Sequence, residues 1–366
     1  MTTAQALVLE APRRLTRRAF PVPDTGDDDG VLRVEACGLC GTDHEQYTGA
    51  LRTGFDFIPG HEAVGVVERV GEVAAARWGV RPGDRVAVEV FQSCRSCDAC
   101  RRGEYRRCTE HGIADMYGFI PVAKPPSLWG GYAQYQYLGP DSMLHLVPRG
   151  LAPAVATVFN PLGAGIRWAV TLPGTRPGDA VAVLGPGIRG LCACAAAKQA
   201  GAGFVMVTGK GPRDSDRLSS SLLFGADLAV DVEEDDPVAA IRHATGELAD
   251  VVVDVTAKAP AALAQAVDLA RPGGTVVVAG TRGTEEIGFS ADAVVFKELR
   301  LLGALGVDAP AYRAAFELLA SGAFPFADLP RRCVGLDDAA SLLESMGGRD
   351  THPPVHGVIE PWGAAA

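Results

Sequence analysis

Cys94, Cys97, Cys100 and Cys108 stand in the pattern C-x2-C-x2-C-x7-C. That spacing lets a short lobe wrap four thiolates around a tetrahedral Zn2+ with no position left open for water, the arrangement of a structural site. A second donor set lies upstream. Cys40, His61 and Glu62 offer one thiolate, one imidazole and one carboxylate, the mixed chemistry of a catalytic zinc that keeps a position for water or a substrate oxygen. Downstream, Gly185-Pro-Gly187-Ile188-Arg189-Gly190 is a G-x-G-x-x-G segment. Its glycines permit a tight turn and close backbone approach to a pyrophosphate at the positive end of a helix. Each set also has a plainer reading: disulfides for the four cysteines, core and surface residues for Cys40 and His61, a chance loop for the glycines.

The elements that must position these groups change in texture along the chain. Up to about residue 150 the sequence reads as short β segments cut by Gly and Pro, among them Val31 to Ala36, Ala63 to Val70, Arg85 to Val90 and Ala133 to Leu138. Beyond Asn160 it alternates regularly. Apolar strands are expected at Ala180 to Leu184, Phe204 to Thr208, Leu228 to Val232, Val251 to Val255, Thr275 to Ala279 and Leu299 to Leu305, with helices such as Leu191 to Ala200, Pro237 to Ala244 and Pro260 to Ala270 between them. Nearly continuous apolar strands separated by helices imply a parallel sheet covered on both faces, a doubly wound α/β domain. The glycine segment ends the first of those strands and opens directly into a helix, the context its phosphate-binding reading requires.

The 366 residues suffice for two domains with their own cores. A formal net charge of -10, with the 34 Lys and Arg nowhere gathered into a long basic run, disfavours nucleic acid. A small-molecule partner is expected instead. No run of apolar residues is long enough for a membrane span. Nine cysteines, an odd number, and a start without a signal-peptide pattern argue against disulfides and for a reducing cytoplasm.

The end of the second strand bears on the choice of nicotinamide cofactor. An NAD site usually offers an Asp or Glu there to hold the ribose 2'-hydroxyl. This chain reads Thr208-Gly209-Lys210-Gly-Pro-Arg213. Without a carboxylate nothing repels a 2'-phosphate, and Lys210 with Arg213 can pair with one, so NADP is favoured over NAD. The alternative leaves both cations on a solvated loop, with Asp214 or Asp216 reaching the ribose.

Taken together, Cys40-Gly-Thr-Asp43, Gly60-His-Glu62-Ala-Val-Gly65, Gly83-Asp-Arg-Val86, the four-cysteine lobe, Gly130-Gly131-Tyr-Ala133 and the glycine loop resemble, in order, the zinc-dependent medium-chain dehydrogenase/reductase family, the alcohol dehydrogenase-like group. The resemblance implies a GroES-like β-rich catalytic domain at 1–158 and 303–366, with the zinc lobe at about 91–111, and a Rossmann nucleotide-binding domain inserted at 159–302. It further implies a cleft between the domains and assembly as a homodimer or homotetramer. Carried over, Cys40 and His61 are catalytic zinc ligands, Glu62 is a carboxylate that can enter or leave the metal's shell, and Thr42 passes a proton between substrate oxygen and solvent. Gly185, Gly187, Ile188, Arg189 and Gly190 hold the pyrophosphate. Gly209, Lys210 and Arg213 flank the ribose, while Thr256 and Gly280 approach the cofactor from later strand ends.

Two positions depart from the family. The third protein ligand is usually Cys, Asp or Glu before a Pro-Leu pair, and here Asn160 precedes Pro161-Leu162; a neutral amide is a poor zinc donor beside a thiolate. Either Glu62 or water completes the shell, or the site is weakly held. The proton relay usually continues through a His where this chain has Glu45, and the nearby imidazole is His44; one of these two is expected to carry the proton to solvent, with a surface role for His44 as the alternative. The implied reaction is reversible hydride transfer between an alcohol and the nicotinamide. A zinc-free reductase of activated double bonds and a nucleotide-binding scaffold without turnover are the alternatives. The run Met116 to Trp129 either lines an apolar pocket or packs the catalytic core, Cys37, Cys192, Cys194 and Cys333 read as small buried hydrophobes, and His352 and His356 as surface residues of the tail.

Overall fold

The computed structural model describes residues 2–51, 54–257, 259–283, 286–349 and 354–363. They form two compact units, one of Met1–Asn160, Leu319–Ser321 and Phe326–Ala366, the other of Pro161–Leu318 and Gly322–Pro325. Among the described residues no helix is long and apolar enough to cross a membrane.

The first unit is built on an antiparallel core. Strand Gly30–Gly38 pairs with Ala63–Val70 on one side and with the C-terminal strand His356–Ile359 on the other. Arg331–Val334 extends the sheet beyond His356–Ile359, while Arg85–Val88 and Leu144–Leu146 extend it beyond Ala63–Val70. A separate ribbon, Thr3–Ala11 with Arg14–Pro21, contributes Ala4, Ala6 and Val8 to the apolar core. The run from Met116 to Trp129 divides. Tyr117, Ile120 and Trp129 lie in a buried cluster with Leu32, Val86 and Leu138, whereas Phe119 is only half-buried.

The second unit holds six parallel strands in the spatial order Leu228–Asp231, Phe204–Gly209, Ala180–Leu184, Ala249–Asp254, Ala270–Val278 and Arg300–Gly303. The order reverses beside the strand that carries the glycine loop, which is where a doubly wound sheet binds its ligand. Val181, Ala182, Val183 and Leu184 are fully buried, as strands covered on both faces must be. This unit continues to Leu318, past the boundary expected at residue 303. Residues after the last strand hold to it: Trp168 Nε1 donates to the Gly306 carbonyl at 3.0 Å and Arg167 pairs with Asp308 at 3.1 Å.

Two helices differ from the sequence expectation. The one after the glycine loop spans Ile188–Gln199 and so begins inside the G-x-G-x-x-G segment. Lys210 and Arg213 do not lie on a loop; Lys210 is the N-cap of helix Gly211–Leu223 and Arg213 stands in its first turn. Pro212 favours that start because its missing N–H is one a first helical turn would leave unpaired.

Candidate active site and metal centres

Strand pairing brings the mixed donors together. Gly30–Gly38 and Ala63–Val70 align Cys37 opposite Ala63, and the Gly38 N–H donates to the Glu62 carbonyl at 3.2 Å. Cys40, just beyond one strand, therefore meets His61 and Glu62, just before the other. Donor atoms of Cys40, His61 and Glu62 lie within 4.8 Å of one another, and all three residues are buried. Cys40 is also the N-cap of helix Gly41–Thr48, its thiol accepting from the Thr42 N–H at 3.5 Å. Thr42 Oγ1 lies 3.5 Å from the same sulfur, so the hydroxyl stands at the donor cluster.

Asp43 is the site residue that motif reading missed. It is 1% exposed, accepts from the Cys40 N–H at 2.8 Å through Oδ2, and holds Oδ1 3.6 Å from His61 Nδ1. One carboxylate thus fixes the backbone of the thiolate donor and orients the imidazole donor, as carboxylates behind metal-binding histidines commonly do. Burial alone would push the His61 pKa down, but Asp43, Cys40 and Glu62 outweigh it and raise it to about 9. A buried pocket holding this much negative charge suits a dication in place of that proton.

The remaining sequence candidates are distributed as follows. Asn160, in the first turn of helix Phe159–Ile166, is buried, and its Nδ2 has no hydrogen-bond partner among the described residues. His44 is two positions from Thr42, and residues two apart on a helix do not face the same way. Its imidazole abuts Gly347. Phe119 stands with its ring centroid 5.9 Å from that of His61, an apolar wall beside the donors. His356 is the clear correction to the surface reading: it is 1% exposed, because His356–Ile359 is an interior strand of the first unit's sheet. Burial and the nearby Arg331 push its pKa down to about 3. His352 lies outside the described residues.

The four-cysteine lobe is a local structure. The sulfurs of Cys94, Cys97, Cys100 and Cys108 also lie within 4.8 Å of one another, but none of them needs a distant strand to arrive. Cys97 caps helix Asp98–Arg101 and accepts from the Cys100 N–H at 3.4 Å, and Cys94 accepts from the Cys97 N–H at 3.3 Å. Backbone donors from Thr109 and Cys100 pull the Cys97 pKa down to about 6. Such N–H···S contacts stabilise thiolates before any metal arrives. Tyr105 ties the lobe to the sheet by donating to the buried Glu89 carboxylate at 2.6 Å, which His145 also meets at 2.6 Å. All nine cysteines are free thiols. Cys37, Cys192 and Cys194 are buried as expected, and Cys333 only in part.

In the second unit Gly185 has φ +103°, a left-handed conformation that favours glycine. A side chain at Gly190 would run into the Gly185 carbonyl, whereas one at Gly187 would meet nothing within 4 Å. The loop is therefore closed underneath and open above, with Gly187 capping Ile188–Gln199 without a side-chain hydrogen bond. Its first N–H groups are left for an anion. Arg189 is fixed by stacking over Trp168, 5.1 Å from the ring centroid. Gly209 is buried at the next strand end. Beyond it the Lys210 N–H donates to Asp214 at 3.0 Å and Lys210 Nζ lies 3.4 Å from Glu233.

Thr256 and Gly280 also meet: a side chain on Gly280 would strike the Thr256 carbonyl. A residue not foreseen locks that pair. Arg282 donates to the Asp254 carboxylate and to the Thr256 carbonyl, and Thr256 Oγ1 donates to Asp254 at 2.6 Å.

A glycine loop at the switch point of a six-stranded parallel sheet, a buried thiolate, imidazole and carboxylate, and a closed four-thiol lobe define a zinc-binding, nucleotide-dependent dehydrogenase. Residues 26–149 match the family model of the alcohol dehydrogenase GroES-like domain, and residues 190–321 match that of zinc-binding dehydrogenases. The chain is 71% identical over 360 residues, 98% of each chain, to the Mycobacterium tuberculosis protein named "Probable alcohol dehydrogenase adh". It is 31% identical to the sorbitol dehydrogenase of Bacillus subtilis, over 87% of this chain and 86% of that one. Among solved structures, a Sinorhizobium meliloti protein described as a zinc-binding dehydrogenase, bound to NADP, superposes with a TM-score of 0.83 at 28% identity, covering 99% of this chain and 100% of the other. The chain belongs to the zinc-dependent medium-chain dehydrogenase/reductase family of alcohol dehydrogenases.

Proposed function

We propose that this alcohol dehydrogenase uses zinc at Cys40, His61 and Glu62 to interconvert a small alcohol and its carbonyl with NADP(H), in the cytoplasm and as a dimer or tetramer. The observation that carries the metal reading is the convergence of those three buried donors within 4.8 Å. A thiolate, an imidazole and a carboxylate suit zinc and leave a tetrahedral position for the substrate, so Asn160 is not needed as a ligand. Zinc held there supplies a Lewis acid for the substrate oxygen, and the dinucleotide supplies or takes up the hydride.

The protein's own groups do the rest. Thr42 Oγ1, at the donor cluster, holds the proton that the substrate oxygen gains or loses. Asp43 keeps Cys40 and His61 in place. Phe119 offers an apolar wall, which suits the carbon chain of the alcohol better than its hydroxyl. In the second unit, Gly185 to Gly190 and the N-terminus of Ile188–Gln199 hold the pyrophosphate, and Thr256 with Gly280 holds the later strand ends together.

NADP is favoured over NAD because Lys210 and Arg213 open a helix whose N-terminus follows the second strand, and no carboxylate occupies Gly209 or Lys210. The NADP-bound relative agrees with this choice. The pairing of Lys210 with Glu233 sets the cost, since a 2'-phosphate must take that cation from a carboxylate. Turnover of primary and secondary alcohols, aldehydes and ketones with each dinucleotide, followed by nicotinamide absorbance, tests the proposal. Oxidation or reduction across that panel, faster with NADP(H), is the expected result; reduction confined to activated double bonds, or dinucleotide binding with no turnover, would contradict it.

A further inference from the structure

His356 stands in the interior of the first unit with one nitrogen in use. Arg331 Nε donates to His356 Nδ1 at 3.1 Å, and the guanidinium is held in turn by the Phe326 carbonyl, 3.1 Å from Nη2. Accepting at Nδ1 leaves Nε2 as the protonated nitrogen of a neutral ring. That donor is buried and has no hydrogen-bond partner among the described residues, an arrangement that costs free energy unless it serves something.

Gly38 shows where Nε2 points. Its strand pairs with His356–Ile359 on one side and Ala63–Val70 on the other, so side chains from both neighbours close over it. A Cβ at Gly38 would stand 2.5 Å from Glu62 Oε2, 3.2 Å from His356 Nε2 and 3.2 Å from Thr157 Cβ. The glycine thus keeps open a small buried space bordered by the carboxylate of one metal donor and by an N–H that has no acceptor among the described residues.

We propose that His356 is a positioning residue for Glu62: its Nε2–H receives the carboxylate when Glu62 leaves the metal, giving that side chain two satisfied positions. The inference rests on the reading of Cys40, His61 and Glu62 as zinc donors. A buried carboxylate released without a partner would be strongly disfavoured, and the other neighbour of the space is Thr157 Cβ, which offers no hydrogen bond. With the His356 N–H in place, release exchanges one partner for another. Arg331 acts behind the ring, fixing its orientation and its tautomer, as partners behind metal-bound groups generally do.

The test follows zinc release from the zinc-loaded protein to a chromogenic chelator, with dinucleotide binding measured alongside. Two release phases are expected, one from the cysteine lobe and one from the Cys40 site. His356→Leu removes the alternative partner, holds Glu62 on the metal and slows the Cys40-site phase by roughly 10- to 100-fold, the worth of a buried hydrogen bond to a charged group. The lobe phase and dinucleotide affinity stay unchanged. His356→Gln, which restores an N–H donor, recovers most of the wild-type rate. His356→Phe, which keeps a ring but offers no N–H, slows the same phase even if His356→Leu folds poorly. An unchanged Cys40-site phase in both His356→Leu and His356→Phe would overturn the role of His356 while leaving the zinc reading intact. A wild-type protein with only the lobe phase would overturn the zinc reading itself, and this inference with it.

Discussion

The two donor clusters of this chain both bring their donor atoms within 4.8 Å of one another and are built in opposite ways. The cysteine lobe gathers four like donors from Cys94 to Cys108, lets the local backbone donate to their sulfurs, and leaves three of them partly exposed. The Cys40 cluster gathers three unlike donors across a strand pair, buries all of them, and backs them with Asp43. The first design closes a metal in and asks nothing of the rest of the fold. The second depends on the register of the sheet and places negative groups together in a buried pocket.

That contrast is broken most sharply at Cys40. Cys40→Ala removes the thiolate that completes the donor set, so turnover falls by roughly 1000-fold or more, several kcal/mol at about 1.4 kcal/mol per decade. Stability and dinucleotide binding change little, which thermal melts and titration would show. The lobe responds in the opposite sense. Cys97→Ala leaves the chemistry untouched but removes a folding staple, and a fall in melting temperature of roughly 10 °C is expected by calorimetry.

Asp43→Asn comes next and probes electrostatics. In the zinc-free protein the His61 pKa is raised from 6.5 to about 9. A raised pKa means that protonated His61 adds stability in full below about 6.5 and loses it as pH rises through about 9. The melting temperature of zinc-free protein should therefore decline across that window, and in Asp43→Asn the decline should move to lower pH. The same variant should bind zinc roughly 10- to 100-fold more weakly, by competition with a chelator. Lys210→Ala with Arg213→Ala should lower the preference for NADP over NAD by roughly tenfold, one charge-assisted contact's worth; an unchanged ratio of kcat/KM values would place both cations on a merely solvated helix end. The smallest effect is expected from His44→Ala, because that imidazole abuts Gly347 while Thr42 stands at the donor cluster. A loss of turnover comparable to that of Thr42→Ala would instead restore His44 to the proton path.

How much of this was legible in the sequence follows from how local each feature is. The cysteine lobe and the glycine loop are contiguous, so their spacing carries their geometry. The parallel sheet was legible because strands such as Ala180–Leu184 are apolar throughout, which only burial on both faces explains. Helix Gly211–Leu223 was missed because it is largely polar, with Leu218, Leu222 and Leu223 its apolar side chains apart from Pro212, and because Gly211-Pro212 reads as a turn, so a solvated loop stayed open as the alternative for Lys210 and Arg213. The continuation of the second unit to Leu318 was missed because contacts such as Trp168 to Gly306 join distant stretches.

His356 shows the limit most plainly. It sits among Pro and Gly close to the end of the chain and looks like tail; only the pairing of His356–Ile359 with Gly30–Gly38 reveals it as core. Asp43 was visible as part of a motif and its bond to the Cys40 N–H is a local capping box, but its approach to His61 depends on a strand register that no local pattern encodes. Arg282 was invisible for the same reason, since its partners Asp254 and Thr256 belong to a different strand end.

The central claim is that the chain carries two zinc sites of different kinds. The direct measurement is zinc per chain by elemental analysis, made in parallel on the wild type, Cys40→Ala and Cys97→Ala, all purified without added metal or chelator. About two zincs in the wild type and one in each variant, with turnover lost only in Cys40→Ala, is the predicted result. About one zinc in both the wild type and Cys40→Ala would contradict the claim, assigning the metal to the cysteine lobe alone.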